Sequence, residues 1–179
     1  MAKRRLWRCP RCGQRFVTRN MPHSCDVMTL DAFFATARPE LRSLFDRFVS
    51  AARECGAVTV NATKSRVTLQ ARGRFASIER PRRDYLVATF LLTTPLESAR
   101  LTRVEYIPPY YYVHRLRLMQ PEDIDGELEG WIAQAYQVGS QRHVTDPAWP
   151  KLRQPPSWVH LPREVAEAVA RGEDPSTVR

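Results

Sequence analysis

The chain has 179 residues, with 43% hydrophobic and 9% aromatic side chains. That is enough for one hydrophobic core plus an appendage and excludes a wholly disordered chain. With 28 Lys and Arg against 19 Asp and Glu the net charge is +9, which favours a polyanionic partner. No stretch approaches the ~18 apolar residues of a membrane span. No signal peptide follows the basic start, so a cytoplasmic protein with no membrane partner is expected.

Residues 1 to 25 hold seven basic side chains, no acid and three of the four cysteines. Cys9 and Cys12 form C-x2-C, and ten residues later His23-Ser24-Cys25 forms H-x-C. Three thiolates and an imidazole with no open position describe a structural Zn2+ site. So short a segment has too few apolar groups to fold alone, and the metal would supply its folding energy. A redox pair is the competing reading of Cys9 and Cys12, but that pair normally sits at a strand-to-helix junction of a larger fold. Trp7 and Phe16 form the expected miniature core. Zinc alone assigns no role, since the knuckle either clasps a phosphate backbone or is a stabilising cap.

Asp31 is read as the cap of a short helix ending at Phe34. Pro39 and Glu40 open a clear helix with an apolar stripe of Leu41, Leu44, Phe45, Phe48, Val49 and Ala52, stopped by Gly56. Cys55, at its end, reads as a small buried hydrophobe. From Ala57 to Thr94 period-two alternation and polar punctuation predict successive strands in a meander. Leu96 to Val104 is read as a loop or short helix, and Tyr110 to Leu118 as a further strand. Pro121 opens the second strong helix, with Ile124, Leu128, Trp131, Ile132, Ala135 and Val138 as its stripe. Gly126 and Gly130 in that helix are read as permitting a close approach to the sheet. Residues 140–160 lack periodicity and hold Trp149 and Trp158. A short terminal helix from Pro162 to Arg171 is expected to turn Val165 and Val169 inward.

Lys64, Arg66, Arg72, Arg74, Arg80, Arg82 and Arg83 fall within twenty residues beside one acid, Glu79. Arg115 and Arg117 share a face of the last strand. Such arginines suit phosphate or carboxylate recognition, or else form a solubilising surface. His114 lies on the face of Leu116 and Leu118 and reads either as a buried, inert histidine or as a base lacking a marked partner. No paired carboxylates, glycine-rich phosphate loop or H-E-x-x-H motif is present.

Phe33-Phe34, Arg38-Pro39-Glu40-Leu41, Val58-Thr59-Val60, Thr63-Lys64-Ser65-Arg66-Val67, Val113-His114-Arg115 and Pro121-Glu122-Asp123-Ile124-Asp125 occur in that order. Over about residues 30 to 140 this set resembles an uncharacterised bacterial family, domain-of-unknown-function family 5655. The resemblance implies a small α+β domain, sometimes preceded by a cysteine-rich knuckle. It also implies that Lys64 and His114 occupy recurring polar positions, without supplying an activity.

The expectation is therefore an α+β fold, an antiparallel sheet of about five strands covered by two main helices and preceded by a small zinc knuckle. The divisions expected are 1–27 for the basic Cys9, Cys12, His23, Cys25 knuckle, 28–140 for the core, and 141–179 for a Pro/Trp-rich arm and terminal helix packed on it. The leading function is binding of nucleic acid or a phosphorylated ligand through Lys64, Arg66, Arg72, Arg74, Arg82, Arg83, Arg115 and Arg117, with Tyr110, Tyr111 and Tyr112 as stacking surfaces. The alternatives are a small enzyme or metabolite binder with a pocket at Lys64 and His114, and a protein-interaction adaptor.

Overall fold

The computed structural model describes residues 5–145 and 158–173. Its main sheet has seven antiparallel strands: β3 (Val27–Met28), β4 (Thr59–Thr63), β5 (Arg66–Gln70), β6 (Arg74–Glu79), β7 (Leu86–Leu92), β8 (Leu101–Ile107) and β9 (Tyr111–Leu118). They lie in the order β3-β4-β5-β6-β7-β9-β8, and a separate hairpin pairs β1 (Trp7–Arg8) with β2 (Arg15–Phe16). Among the described residues four α-helices accompany them: α1 (Leu30–Phe34), α2 (Pro39–Glu54), α3 (Gly126–Gly139) and α4 (Arg163–Ala170). The expectation of about five strands and two main helices is thus corrected within the α+β class. Two strands escape it for physical reasons. β3 has two residues and no period to read. In β8 the register shifts between Leu101 and Arg103, and this irregularity breaks the alternation.

Strand alternation sorts the sheet into two faces. Val67, Leu69, Ala76, Ile78, Leu86, Ala88, Phe90, Leu92, Leu116 and Leu118 join the core under α2 and α3. All six residues of the α2 stripe are buried, as are Leu128, Trp131, Ile132, Ala135 and Val138 of α3. The opposite face carries Arg66, Thr68, Ser77, Glu79, Thr89, Arg115 and Arg117, placed by the registers Arg66↔Glu79, Thr68↔Ser77, Ser77↔Thr89 and Thr89↔Arg115. No helix of the described residues is long and apolar enough to cross a membrane.

Several local starts differ from the sequence reading. Thr29, not Asp31, caps α1 by accepting the Ala32 N–H. Pro121 opens only a 3-10 turn, and α3 begins after Asp125, whose side chain accepts the Leu128 N–H. In α4 the inward residues are Val165 and Ala168, while Val169 is exposed. Val159 and Val165 join Val104, Tyr106 and Tyr112 in a second small cluster. There His160 bonds through its backbone to Tyr106 and Val104, adding a parallel rung to the β8 edge. Trp158 is exposed, and Trp149 lies outside the described residues.

The close approach expected at Gly126 and Gly130 occurs instead at Gly139. A Cβ there would stand 2.8 Å from Phe75 Cβ, and the Gly139 carbonyl accepts the Arg72 and Gly73 amides. Neither Gly126 nor Gly130 has anything within 4 Å of a built Cβ. Gly139→Ala is expected to destabilise the fold by about 1–3 kcal/mol through overpacking. Gly130→Ala should be neutral or stabilising by up to about 1 kcal/mol from helix propensity. Urea titration of both variants checks the contrast.

Candidate metal centre and basic surfaces

The β1–β2 hairpin shapes the first half of the metal centre. Cys9 N–H donates to the Gln14 carbonyl and Gly13 N–H to the Cys9 carbonyl, at 2.8 and 2.9 Å. Gly13 sits at φ 73°, a left-handed conformation that glycine adopts without a Cβ clash. The turn brings Cys9 and Cys12 together, and the chain returns through His23 and Cys25. The sulfurs of Cys9 and Cys25 lie 3.9 Å apart, and His23 Nε2 lies 3.3 Å from Cys12 Sγ and 3.4 Å from Cys25 Sγ. All four ligand atoms fall within 4.8 Å of one another. A tetrahedron with metal–sulfur arms of about 2.3 Å has edges of about 3.8 Å, so the cage has the dimensions of a four-coordinate site. His23 Nδ1 donates to the Met21 carbonyl at 2.6 Å, leaving the Nε2 lone pair for a metal.

The thiols differ electrically. The Cys12 backbone N–H, ahead of that of Arg11, donates toward Cys9 sulfur and takes its pKa down to about 6. Burial, followed by the neighbouring thiols of Cys9 and Cys12, pushes Cys25 up to about 11. Crowded sulfurs of this kind are where a divalent cation is most stabilising. Cys55 stands apart: half-buried, with Sγ donating to the Ala51 carbonyl at 3.7 Å and burial raising its pKa.

The knuckle is docked on the open face of the sheet. Gln70 Nε2 donates to the Arg15 carbonyl at 2.6 Å, and Arg74 Nη2 to Gln14 Oε1 at 2.9 Å. The Arg74 guanidinium also lies 5.0 Å above the Phe16 ring, and its Nε is buried without a hydrogen-bond partner. Burial, with Arg66 nearby, lowers its pKa. Arg74 is therefore largely an interior contact between knuckle and sheet. Arg72 is half-buried beside Gln141, to whose Oε1 its Nε donates at 3.4 Å.

The remaining basic candidates converge elsewhere. The Thr63–Arg66 turn, the β6–β7 loop and the last residues of β9 lie at one end of the sheet, because Arg80 N–H bonds Ser65 O and Val87 pairs with Arg117. Lys64, Arg66, Arg82, Arg83 and Arg117 are exposed there and Arg115 is half-buried. Arg115 donates to Glu79, Arg117 lies 5.0 Å over the Tyr85 ring, and exposed Lys64 pairs with Asp26 at 3.4 Å.

His114 is not with them. It is fully buried on the helix-covered face, its ring stacked on Phe90 at 5.0 Å. Its Nε2 accepts the Leu96 N–H at 2.9 Å, and burial takes its pKa down to about 4. Lys64 and His114 thus lie on a solvent-facing turn and in the core respectively, and form no common pocket. The three tyrosines do not form a stacking platform either: Tyr112 is buried in the second cluster, and Tyr111 is hydrogen-bonded to His143. Arg100 carries no signal in the sequence. It binds Asp125, Glu127 and the Asp123 carbonyl and lies 5.5 Å over Trp131, fastening the β7–β8 connection to the start of α3. Its partners are more than twenty positions away, so nothing local marks it.

Residues 30–139 match the family model described as Domain of unknown function (DUF5655). No curated protein and no solved structure matches the chain.

Proposed function

The chain belongs to the DUF5655 family, and from that premise we propose that this member is a zinc-containing module that binds nucleic acid. The observation that carries the reading is the face of the sheet opposite the helices, which the knuckle covers in part. Arg66 and Arg117 stand exposed on it and Arg115 is paired with Glu79, around the polar residues Thr68, Ser77 and Thr89, of which Thr68 and Ser77 are buried. Ser77 and Thr89 hydroxyls are bonded to each other at 2.7 Å. The knuckle borders the same face and carries exposed Arg8, Arg11, Arg15 and Arg19. Guanidinium groups on both sides of a polar surface suit the spaced phosphates of a strand, and the net charge of +9 supports electrostatic capture. The Cys9, Cys12, His23, Cys25 cage matches zinc in donor set and size. In this reading the ion is structural, holding the basic hairpin against the sheet.

The test is fluorescence anisotropy with single-stranded RNA and DNA across a salt series. Arg66→Ala with Arg117→Ala is expected to weaken binding by about tenfold and to lower the salt slope by about two. Absence of binding at low salt, or an unchanged slope in the double variant, rejects the reading.

A further inference from the structure

A different basic feature lies outside that face. A cleft of about 500 Å3 opens between the α1–α2 link and the β6–β7 loop, lined by Thr36, Ala37, Pro81, Asp84 and four arginines, Arg38, Arg80, Arg82 and Arg83. We propose that this cleft is a separate binding site for a phosphomonoester. It goes beyond the nucleic-acid reading and does not depend on it.

Charge is the first argument. Four guanidinium groups against one carboxylate leave a formal surplus of three in the lining. Like charges gathered along one cleft repel, so the arrangement gains from a bound anion. Arg38 is already paired, with Asp84 at 3.1 Å and Glu40 at 3.4 Å. Arg82 and Arg83 make no side-chain ion pair or hydrogen bond among the described residues, and with Arg80, whose guanidinium meets a carbonyl and no carboxylate, they supply the surplus. A single carboxylate repeats what Asp84 already offers. A phosphomonoester brings nearly two charges and three acceptor oxygens, which planar guanidinium forks bind bidentately.

Order is the second argument. The loop is closed by Arg82 N–H to the Tyr85 carbonyl at 3.0 Å and tied to the neighbouring turn by Arg80 N–H to the Ser65 carbonyl at 2.9 Å. The Arg80 guanidinium is held 5.3 Å over the Phe33 ring, and its Nη1 donates to the Lys64 carbonyl at 3.5 Å. Two of the four arginines, Arg38 and Arg80, thus already have contacts on the protein at the edge of the cleft, although both side chains are exposed. The sixteen-residue helix α2 starts at this cleft with no side chain capping it, and its positive end adds to the same field. The volume lies within the ~300–1,000 Å3 of small-molecule sites, so the phosphate can carry an organic body.

The experiment is isothermal titration of the full chain with ribose 5-phosphate, ribose and inorganic phosphate, beside anisotropy with one oligonucleotide carrying a 5′-phosphate or a 5′-hydroxyl. Ribose 5-phosphate is expected to bind with Kd below about 1 mM and ribose not to bind. Arg82→Ala with Arg83→Ala should weaken it at least about tenfold without changing thermal stability, since both side chains are exposed. If only the 5′-phosphorylated strand gains affinity, and the double variant removes that gain, the phosphomonoester is a strand terminus. If neither phosphate source binds, or the double variant binds as before, the proposal is wrong. Neither Arg66 nor Arg117 lines this cleft, so separate variants test the two readings.

Discussion

Chelating the metal is expected to unfold residues 7–25 while the core between 30 and 139 stays folded. Among the described residues of the knuckle the buried apolar ones are Cys9 and Phe16. Burying an aromatic ring contributes about 1.5–3 kcal/mol, far below the about 10–16 kcal/mol that a structural zinc site contributes to a zinc-finger peptide. Trp7 lies 5.9 Å from Phe16, and His23 4.3 Å from it, so the small aromatic cluster is assembled partly by a ligand residue and dissolves with the cage. The main sheet has its own core under α2 and α3, and among the described residues none of that core comes from the knuckle. In a 1H–15N spectrum the knuckle resonances should collapse on adding a strong chelator, and those of Gln70 and Arg74 should shift as their partners Arg15 and Gln14 leave. Cys12→Ser should reproduce the effect without chelator. Elemental analysis should find one zinc per chain. Substoichiometric metal in protein whose cysteines are reduced, or a knuckle spectrum indifferent to chelation, would remove the zinc site and with it the account of how the hairpin is held.

The parts of this molecule that are legible in sequence are those specified by near neighbours. The four metal ligands are spaced within seventeen residues, and a two-residue gap plus Gly13 already implies the turn that collects them. The α2 stripe is legible because Pro39 starts it, in the position where its missing N–H has no partner to lose, and six apolar residues follow one face. The start of α3 is ambiguous in sequence because Pro121 and Asp125 are both true start signals. Asp123 closes the first of them by accepting the Met119 and Gln120 amides, and nothing local ranks one above the other. The fate of Arg74 is not legible at all. Its period-two position resembles that of Arg66, yet it packs against the face of Phe16, some sixty residues back in the chain. The basic residues of one sequence block therefore separate into three environments: an interior clasp at Arg74, an open face at Arg66, and a cleft at Arg80, Arg82 and Arg83. Only strand register and loop closure distinguish them.

Acidification from pH 7 to pH 4 is expected to lower stability by about 3 kcal/mol through His114 alone. Its ring is enclosed, stacked on Phe90, which in turn stacks on Trp131 at 5.7 Å. Because Nε2 accepts the Leu96 N–H, the ring proton sits on Nδ1, which is buried without a partner. Charging the ring needs a second proton on Nε2, which evicts the Leu96 amide and places a cation among aromatic side chains. Both consequences disfavour the charged form, and burial takes the pKa from 6.5 to about 4. Between those values the unfolded chain holds a proton that the folded chain refuses. Stability is therefore complete above about pH 6.5, falls as the pH drops, and levels off below about 4, at roughly 1.4 kcal/mol per unit of pKa difference. Urea titrations of wild type and His114→Phe isolate the contribution. The variant keeps the ring stack and loses about 1–3 kcal/mol at pH 7 because the Leu96 amide is left unpaired. Its decline between pH 7 and pH 4 should be shallower than that of wild type by about 3 kcal/mol. Equal pH dependence in the two proteins, or a His114 titration by NMR near 6.5, would contradict the buried neutral ring. A ring so held has its one lone pair committed to the backbone, and that commitment, more than its distance from Lys64, removes His114 from proton-transfer chemistry at neutral pH.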